Sequence, residues 1–251
     1  YAASTLGLVI LIIFFLALKG KPKRYQSMTL PGFSAFFVML QGAFGMWTVT
    51  LLVHPGIVTT HLIGGFVTTA LLIWMLLNQG RPPTIYRHIL KRHKSLLMVV
   101  LALLSLQIIL GGWTSTNYAA LSCGEEFPTC LGAWWPAMDF SNAFTWGQLG
   151  VDYEYGVLDN PARAAIQMLH RIGALVVTLS IAMLVYLFKE YAHLKINLIL
   201  ISALLTLQIT LGIVNVLYSL PMLVAVLHNA VALLLLLSVI GLVHKILQKP
   251  A

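Results

Sequence analysis

The chain has 251 residues, 59% hydrophobic and 9% charged, with a mean hydropathy of +0.91. A soluble domain carries about 25% charged residues, so an ordinary soluble fold is excluded and a membrane protein is indicated. The formal charge is 15 − 7 = +8, which in a soluble protein would suggest nucleic acid; its placement along this chain excludes that partner.

A run of about 20 apolar residues spans a hydrocarbon core of about 30 Å. Seven such runs are predicted, at 1–18, 32–53, 57–77, 96–113, 164–188, 197–218 and 222–243. Because they recur to the C-terminus, a signal peptide cannot be their sole source. Because they are unbroken, alternating β-barrel strands are excluded. The fold class is all-α, an integral membrane protein.

The first run starts at Tyr1 with no initiating Met, polar lead-in or cap, and reads as a cut rather than a natural beginning. The second carries Leu40-Gln41-x-x-x-Gly45, the fourth Leu106-Gln107-x-x-x-Gly111 and the sixth Leu207-Gln208-x-x-x-Gly212. Gln41 precedes His61 by 20 residues, and Gln208 precedes His228 by 20, each His lying in the next span. These are two parallel copies of one helical unit. Small residues at this spacing allow close helix approach, which accounts for the glycines but not for the Gln–His register. The long loop 114–163 interrupts the pattern. It holds both cysteines, Cys123 and Cys130, with six residues between them, and many aromatic residues that suit the headgroup level.

Alternate connections collect opposite charges. Lys19, Lys21, Lys23, Arg24, Arg81, Arg87, Lys91, Arg92, Lys94, Lys189, Lys195, Lys245 and Lys249 share one side, 13 of the 15 cations. The positive-inside rule makes that side cytoplasmic, with the C-terminus there and loop 114–163 outside, as in a bacterial inner membrane protein. Six of the seven acids lie in that loop: Glu125, Glu126, Asp139, Asp152, Glu154 and Asp159. On an oxidising face, two nearby thiols without further soft ligands favour a disulfide over a metal site or two free thiols.

Eight histidines sort by depth. His88, His93, His193 and His244 read as interfacial residues at cytoplasmic ends, and His54, beside Pro55-Gly56, as a solvated turn residue. His61, His170 and His228 fall inside apolar helices, where ionisable groups are costly and are functional candidates facing the bundle interior. At 1.5 Å per residue, His170 and His228 each lie about 9 Å into an inward-running span. Two imidazoles at one level suit the axial positions of a heme iron between helices; zinc would want more ligands. The competing reading of each is a hydrogen-bonded core histidine. Arg171, next to His170 and near the outer face, could pair with a heme propionate. No span carries the internal break that marks a transporter site.

The sequence carries the run Gln167-Met168-Leu169-His170-Arg171-Ile172-Gly173-Ala174, the helix opening Leu227-His228-Asn229-Ala230, and the loop motif Cys123-Gly-Glu-Glu-Phe-Pro-Thr-Cys130-Leu-Gly with Trp135-Pro-Ala-Met-Asp139-Phe. With Leu40-Gln41-Gly42 and Thr48-Val49, they resemble heme A synthase of the bacterial and mitochondrial type across the whole chain. The resemblance implies eight helices in two four-helix bundles related by internal repeat. It implies oxidation of a ring methyl of heme O to a formyl group, through two hydroxylations and loss of water, to give heme A for terminal oxidases.

On this likeness, heme b is held by His170 and His228 in the C-terminal bundle, and heme O is received at the N-terminal one, where His61 matches one histidine. The family's Glu-x-x-His-Arg motif would fall before Tyr1, so the first helix and the catalytic acid are assigned to no residue here and the chain by itself is expected to be inactive. The corresponding position in the second copy is Gln167. The implied division is 1–79 for the N-terminal bundle, 80–95 for a cytoplasmic linker and 96–251 for the C-terminal bundle. The implied partners are the lipid bilayer, heme O, the heme O synthase that would deliver it, an electron donor the sequence does not identify, and a second copy in a homo-oligomer. A cytochrome b subunit passing electrons from quinol to a partner shares the paired histidines and is the alternative.

Overall fold

A computed structural model describes residues 1–20, 28–80 and 87–247, and the side chains of 87–91 are not described. Lys21, Lys23, Arg24, Arg81 and Lys249, and the side chains of Arg87, His88 and Lys91, therefore lie outside the described part of the chain. The chain forms α1 (Ala2–Leu18), α2 (Thr29–Thr50), α3 (Pro55–Leu77), α4 (Arg87–Thr116), the short α5 (Phe140–Ala143), α6 (Asn160–Phe188), a 3-10 turn (Ala192–Leu194), α7 (Lys195–Leu217) and α8 (Met222–Leu247). Six of these are long and apolar enough to cross a membrane, and α1 is a shorter apolar helix of 17 residues. The chain is a multi-pass, all-helical membrane protein.

The boundaries follow local chemistry. Pro55 opens α3, where its fixed φ suits the first turn and its missing N–H is not needed. Asp159 caps α6 by accepting from the Ala162 amide at 3.1 Å. The fourth helix starts at Arg87, not at 96, so most of the predicted linker 80–95 is helical. Lys and Arg are good helix formers, and their stems let a helix run past the apolar region into the basic one.

Three helices end by the same device. α2, α4 and α7 each close with a left-handed residue 11 positions after the repeated Gln: Leu52 at φ 52°, Tyr118 at 52° and Ser219 at 53°. The next amide then returns to the carbonyl five residues back, Val53 to Thr48 at 3.1 Å, Ala119 to Thr114 at 2.9 Å and Leu220 to Asn215 at 2.8 Å. This is the Schellman closure, built here without glycine. The internal repeat therefore has three copies of this helix.

Helices α4, α6, α7 and α8 form a closed ring: α4 packs on α6 and α8, and α7 packs on the same two. That places α6 and α8 on a diagonal. The inward half of the ring is filled by Leu97, Val100, Val177, Leu184, Ile201, Leu235 and Leu242, all buried. Helices α1, α2 and α3 form a row, and α3 lies against α4 and α8. Thr59 and Thr116 hydroxyls bond across that seam at 3.0 Å.

Candidate functional site

Above the apolar floor of the ring, the outer half carries the polar side chains. His170 projects from α6 onto Gly111 of α4, and His228 from α8 onto Gly212 of α7. Each ring edge rests on a glycine of a neighbouring helix. A Cβ added at Gly111 would meet His170 Cε1 at 3.1 Å, one at Gly212 would meet His228 Cε1 at 3.1 Å, and one at Gly45 would meet His61 Cε1 at 3.1 Å. The glycines are thus the surfaces on which the histidines lie.

Glutamines complete the units. Gln107 Nε2 donates to His170 Nδ1 at 3.0 Å and to the His170 carbonyl at 2.9 Å. Gln208 Nε2 donates to His228 Nε2 at 3.1 Å. The Gln107 partner was missed in the sequence because it lies 63 residues from His170, the loop being inserted between them; the third copy of the Leu-Gln-x-x-x-Gly motif was the signal that could have found it. Buried polar atoms without a partner concentrate here: Gln107 Oε1, Gln167 Oε1, Gln208 Oε1, Asn215 Oδ1 and His228 Nδ1. Buried polar groups ordinarily find partners. Five unpartnered atoms on the four helices of the ring mark a place suited to another group.

A loop covers this end of the ring. Cys123 and Cys130 are bonded, S–S 2.01 Å, and pack with Ala164 and Met168 of α6, which precede His170 on the same helix. Arg171 turns outward and holds this loop by its backbone, donating to the Glu126 carbonyl at 2.9 Å, Thr129 at 2.9 Å and Pro128 at 3.3 Å. Its Nε, like that of Arg163, is buried and without a partner. Ser219, in the turn before α8, donates to the Glu125 carboxylate. The loop thereby bridges the two helices that carry the paired histidines.

Three of the remaining histidines, His54, His93 and His244, differ from their predicted settings. His54 is fully buried, not solvated, with Trp146 and Tyr153 of the outer loop packed on it at 5.7 and 5.2 Å between centroids. Both its ring nitrogens lack a partner. His93 and His244 are also buried: His93 lies against Phe188 at 5.0 Å, and His244 lies edge-on to Trp74 at 4.8 Å and donates to Asn78 Oδ1 at 2.9 Å. Sequence depth alone could not see the tertiary neighbours that cover them. His193 is exposed in the 3-10 turn.

His61 lies apart from the pair, on α3 against α2, and its Nδ1 is buried without a partner. The Gln41 side chain lies over Gly64, one turn after His61, as Gln107 lies over Gly173, one turn after His170.

Comparison with known proteins agrees with this arrangement. Residues 1–240 match the family model described as COX15-CtaA, cytochrome oxidase assembly protein. The chain is 42% identical to a protein named heme A synthase from Shewanella oneidensis, covering 96% of this chain and 72% of the relative. It is 26% identical to proteins of the same name from Neorickettsia sennetsu, covering 94% of this chain and 71% of the relative, and Flavobacterium psychrophilum, covering 98% and 72%. With the repeat, the diagonal histidines and a match of this extent, the chain belongs to the COX15-CtaA family of cytochrome oxidase assembly proteins.

Proposed function

We propose that the chain acts as a heme A synthase, oxidising a ring methyl of heme O to a formyl group, with heme b resident between His170 and His228 and heme O received beside His61. The observation that carries the resident site is the diagonal pair of imidazoles, each seated on a glycine and held by a glutamine, with unpartnered polar atoms around them. The donor set fits: two neutral imidazoles from opposite helices suit a flat macrocycle whose iron accepts two axial nitrogens. When bound, a heme there would supply one-electron chemistry.

The chain's own residues supply orientation and dryness. His170 and His228 would hold the iron, and the apolar floor from Leu97 to Leu242 excludes water from the inward side. Arg163 precedes His170 by seven residues, two helical turns on one face. With its own open Nε and that of Arg171, it supports a reading in which the heme carboxylates face outward beneath the disulfide loop. Oxidation is assigned to the first half, where His61 has an open nitrogen, and the resident heme to electron transfer. The orientation that fits the charge distribution puts loop 114–163 outside and the C-terminus in the cytoplasm. The division into 1–79 and 96–251 follows the row and the ring, with α3 as their shared wall. The cytochrome b alternative is displaced by family membership.

The test is expression of the full chain with heme supplied, absorbance of the purified protein, and chromatography of extracted hemes. His170→Ala or His228→Ala should abolish or convert the low-spin spectrum, and His61→Ala should leave it intact. An unchanged low-spin spectrum in either of the first two variants would refute the assignment.

A further inference from the structure

The three Gln–Gly–His units are alike in sequence, yet the structure treats them differently. In the second and third, the glutamine amide is bonded to the imidazole, at 3.0 and 3.1 Å. In the first, no hydrogen bond joins Gln41 to His61 among the described residues, and Gln41 Oε1 and His61 Nδ1 are both buried without a partner. In all three glutamines the amide oxygen is the atom left over. Glycine packing explains why the helices approach closely, but it does not require an amide at this position.

We propose that Gln107 and Gln208 are positioning residues that fix His170 and His228 through the amide–imidazole hydrogen bond, while the first unit leaves His61 unheld so that its ligand can exchange. The inference rests on the reading of His170 and His228 as the axial pair. A neutral imidazole that gives one nitrogen to iron carries its single proton on the other, so the proton count of the ring is unchanged. The group facing that N–H must then accept. At Gln208 a half-turn of the amide presents Oε1, the atom that now has no partner; at Gln107 the same turn also gives up the Nε2 bond to the His170 carbonyl. Such an acceptor fixes the ring's rotation and strengthens its donation to the metal, as outer partners of ligating histidines do. A site that retains a cofactor gains from this restraint. A site that must take in a substrate and release a product is better served by a histidine without it.

The experiment uses the full chain purified with its heme, and reads the low-spin absorbance, the electron paramagnetic resonance and the midpoint potential of the resident heme. Gln107→Leu and Gln208→Leu should keep the heme but raise its potential, because loss of the acceptor weakens imidazole donation. Gln107→Glu and Gln208→Glu, of equal size and stronger acceptors, should lower it. Gln41→Leu should leave the resident heme's potential unmoved. Leu and Glu variants that shift it in the same direction, or not at all, would overturn the positioning role while leaving the heme site standing. A wild-type chain without low-spin heme would overturn both. Should the Leu variants fail to accumulate, the Glu variants decide, since they preserve volume and still require a downward shift.

Discussion

At the scale of single residues, the site depends on what is absent from three glycines. A methyl group at Gly111 or Gly212 would sit 3.1 Å from a histidine Cε1, so the ring must yield by a few tenths of an ångström. Overpacking of this kind costs about 1–3 kcal/mol. Gly111→Ala and Gly212→Ala should therefore reduce bound heme per protein and lower the melting temperature. Gly42→Ala, where nothing lies within 4 Å, should be neutral or stabilise α2 by about 0.5–1 kcal/mol. Heme stoichiometry and thermal unfolding in detergent check both; equal heme loss in all three variants would contradict the cradle. The sequence displayed these glycines as a helix-packing pattern, because their spacing is the same whether a glycine faces a helix or an imidazole.

His54 presents the opposite case, a polar group enclosed with nothing to bond. Replacing it with a ring of similar size that has no polar atoms removes an unsatisfied group at little packing cost. His54→Phe should hold or raise thermal stability, while His54→Ala leaves a cavity under Trp146 and Tyr153 and should lower it by about 1–3 kcal/mol. A His54→Phe variant less stable than His54→Ala would show that the imidazole nitrogens have a partner after all. Pro55-Gly56 reads in the sequence as an exposed turn; the two aromatic rings that bury it come from about 90 residues away along the chain.

At the scale of elements, the outer loop is held at several points. The Cys123–Cys130 bond closes a short loop, for which the chain-entropy model gives about 2–3 kcal/mol, and Arg171 ties the same segment to α6 through three carbonyls. Thiol labelling of the unreduced protein should find neither cysteine free. Cys123→Ser/Cys130→Ser and Arg171→Met should each speed protease cleavage within 123–133, and the combination should speed it further. Cleavage unaffected by Arg171→Met would show that the carbonyl contacts do not hold the loop.

The short α5 offers a pH test. Hydrogen bonds from the Ser141 and Asn142 side chains and backbone amides hold the Asp139 carboxyl below its ordinary value. A carboxylate with a depressed folded value contributes stability above its unfolded value and loses it as pH falls through the folded one. Hydrogen exchange at the Ser141 and Asn142 amides should accordingly stay slow from neutral pH down past the usual carboxylate range, then quicken at more acid pH relative to the intrinsic rate. Asp139→Asn should blunt that dependence, and an unaltered acid dependence in this variant would refute it.

At the scale of the whole molecule, the outer loop does more than cover one end of the ring. Its first part bridges α6 and the turn before α8 through Arg171 and Ser219, while its second part reaches the α2–α3 turn, where the Tyr153 amide donates to the Leu52 carbonyl at 3.1 Å and Trp146 rests on Gly56. One segment therefore links the outer ends of the row and the ring. Along the seam below, α3 faces α4 and α8 around an apolar cavity of about 400 Å³ that includes Phe66, Trp74, Leu101 and Leu236.

The sequence by itself determined the solvent, the helices and the depth of three histidines, because hydropathy and charge are local properties that a bilayer sorts without reference to neighbours. It showed the 20-residue register of Gln41 with His61 and of Gln208 with His228, since one tight turn joins each pair of helices. It did not show that Gln107 serves His170, because the partner of α4 comes after a long inserted loop and the spacing no longer carries the pairing. It placed His54, His93 and His244 by their flanking residues, whereas burial is set by side chains from distant segments. Only the tertiary structure decided that α6 and α8 stand on a diagonal, each with its imidazole seated on a glycine of a neighbouring helix. That placement comes from the order in which four apolar faces close a ring, and no single helix contains it.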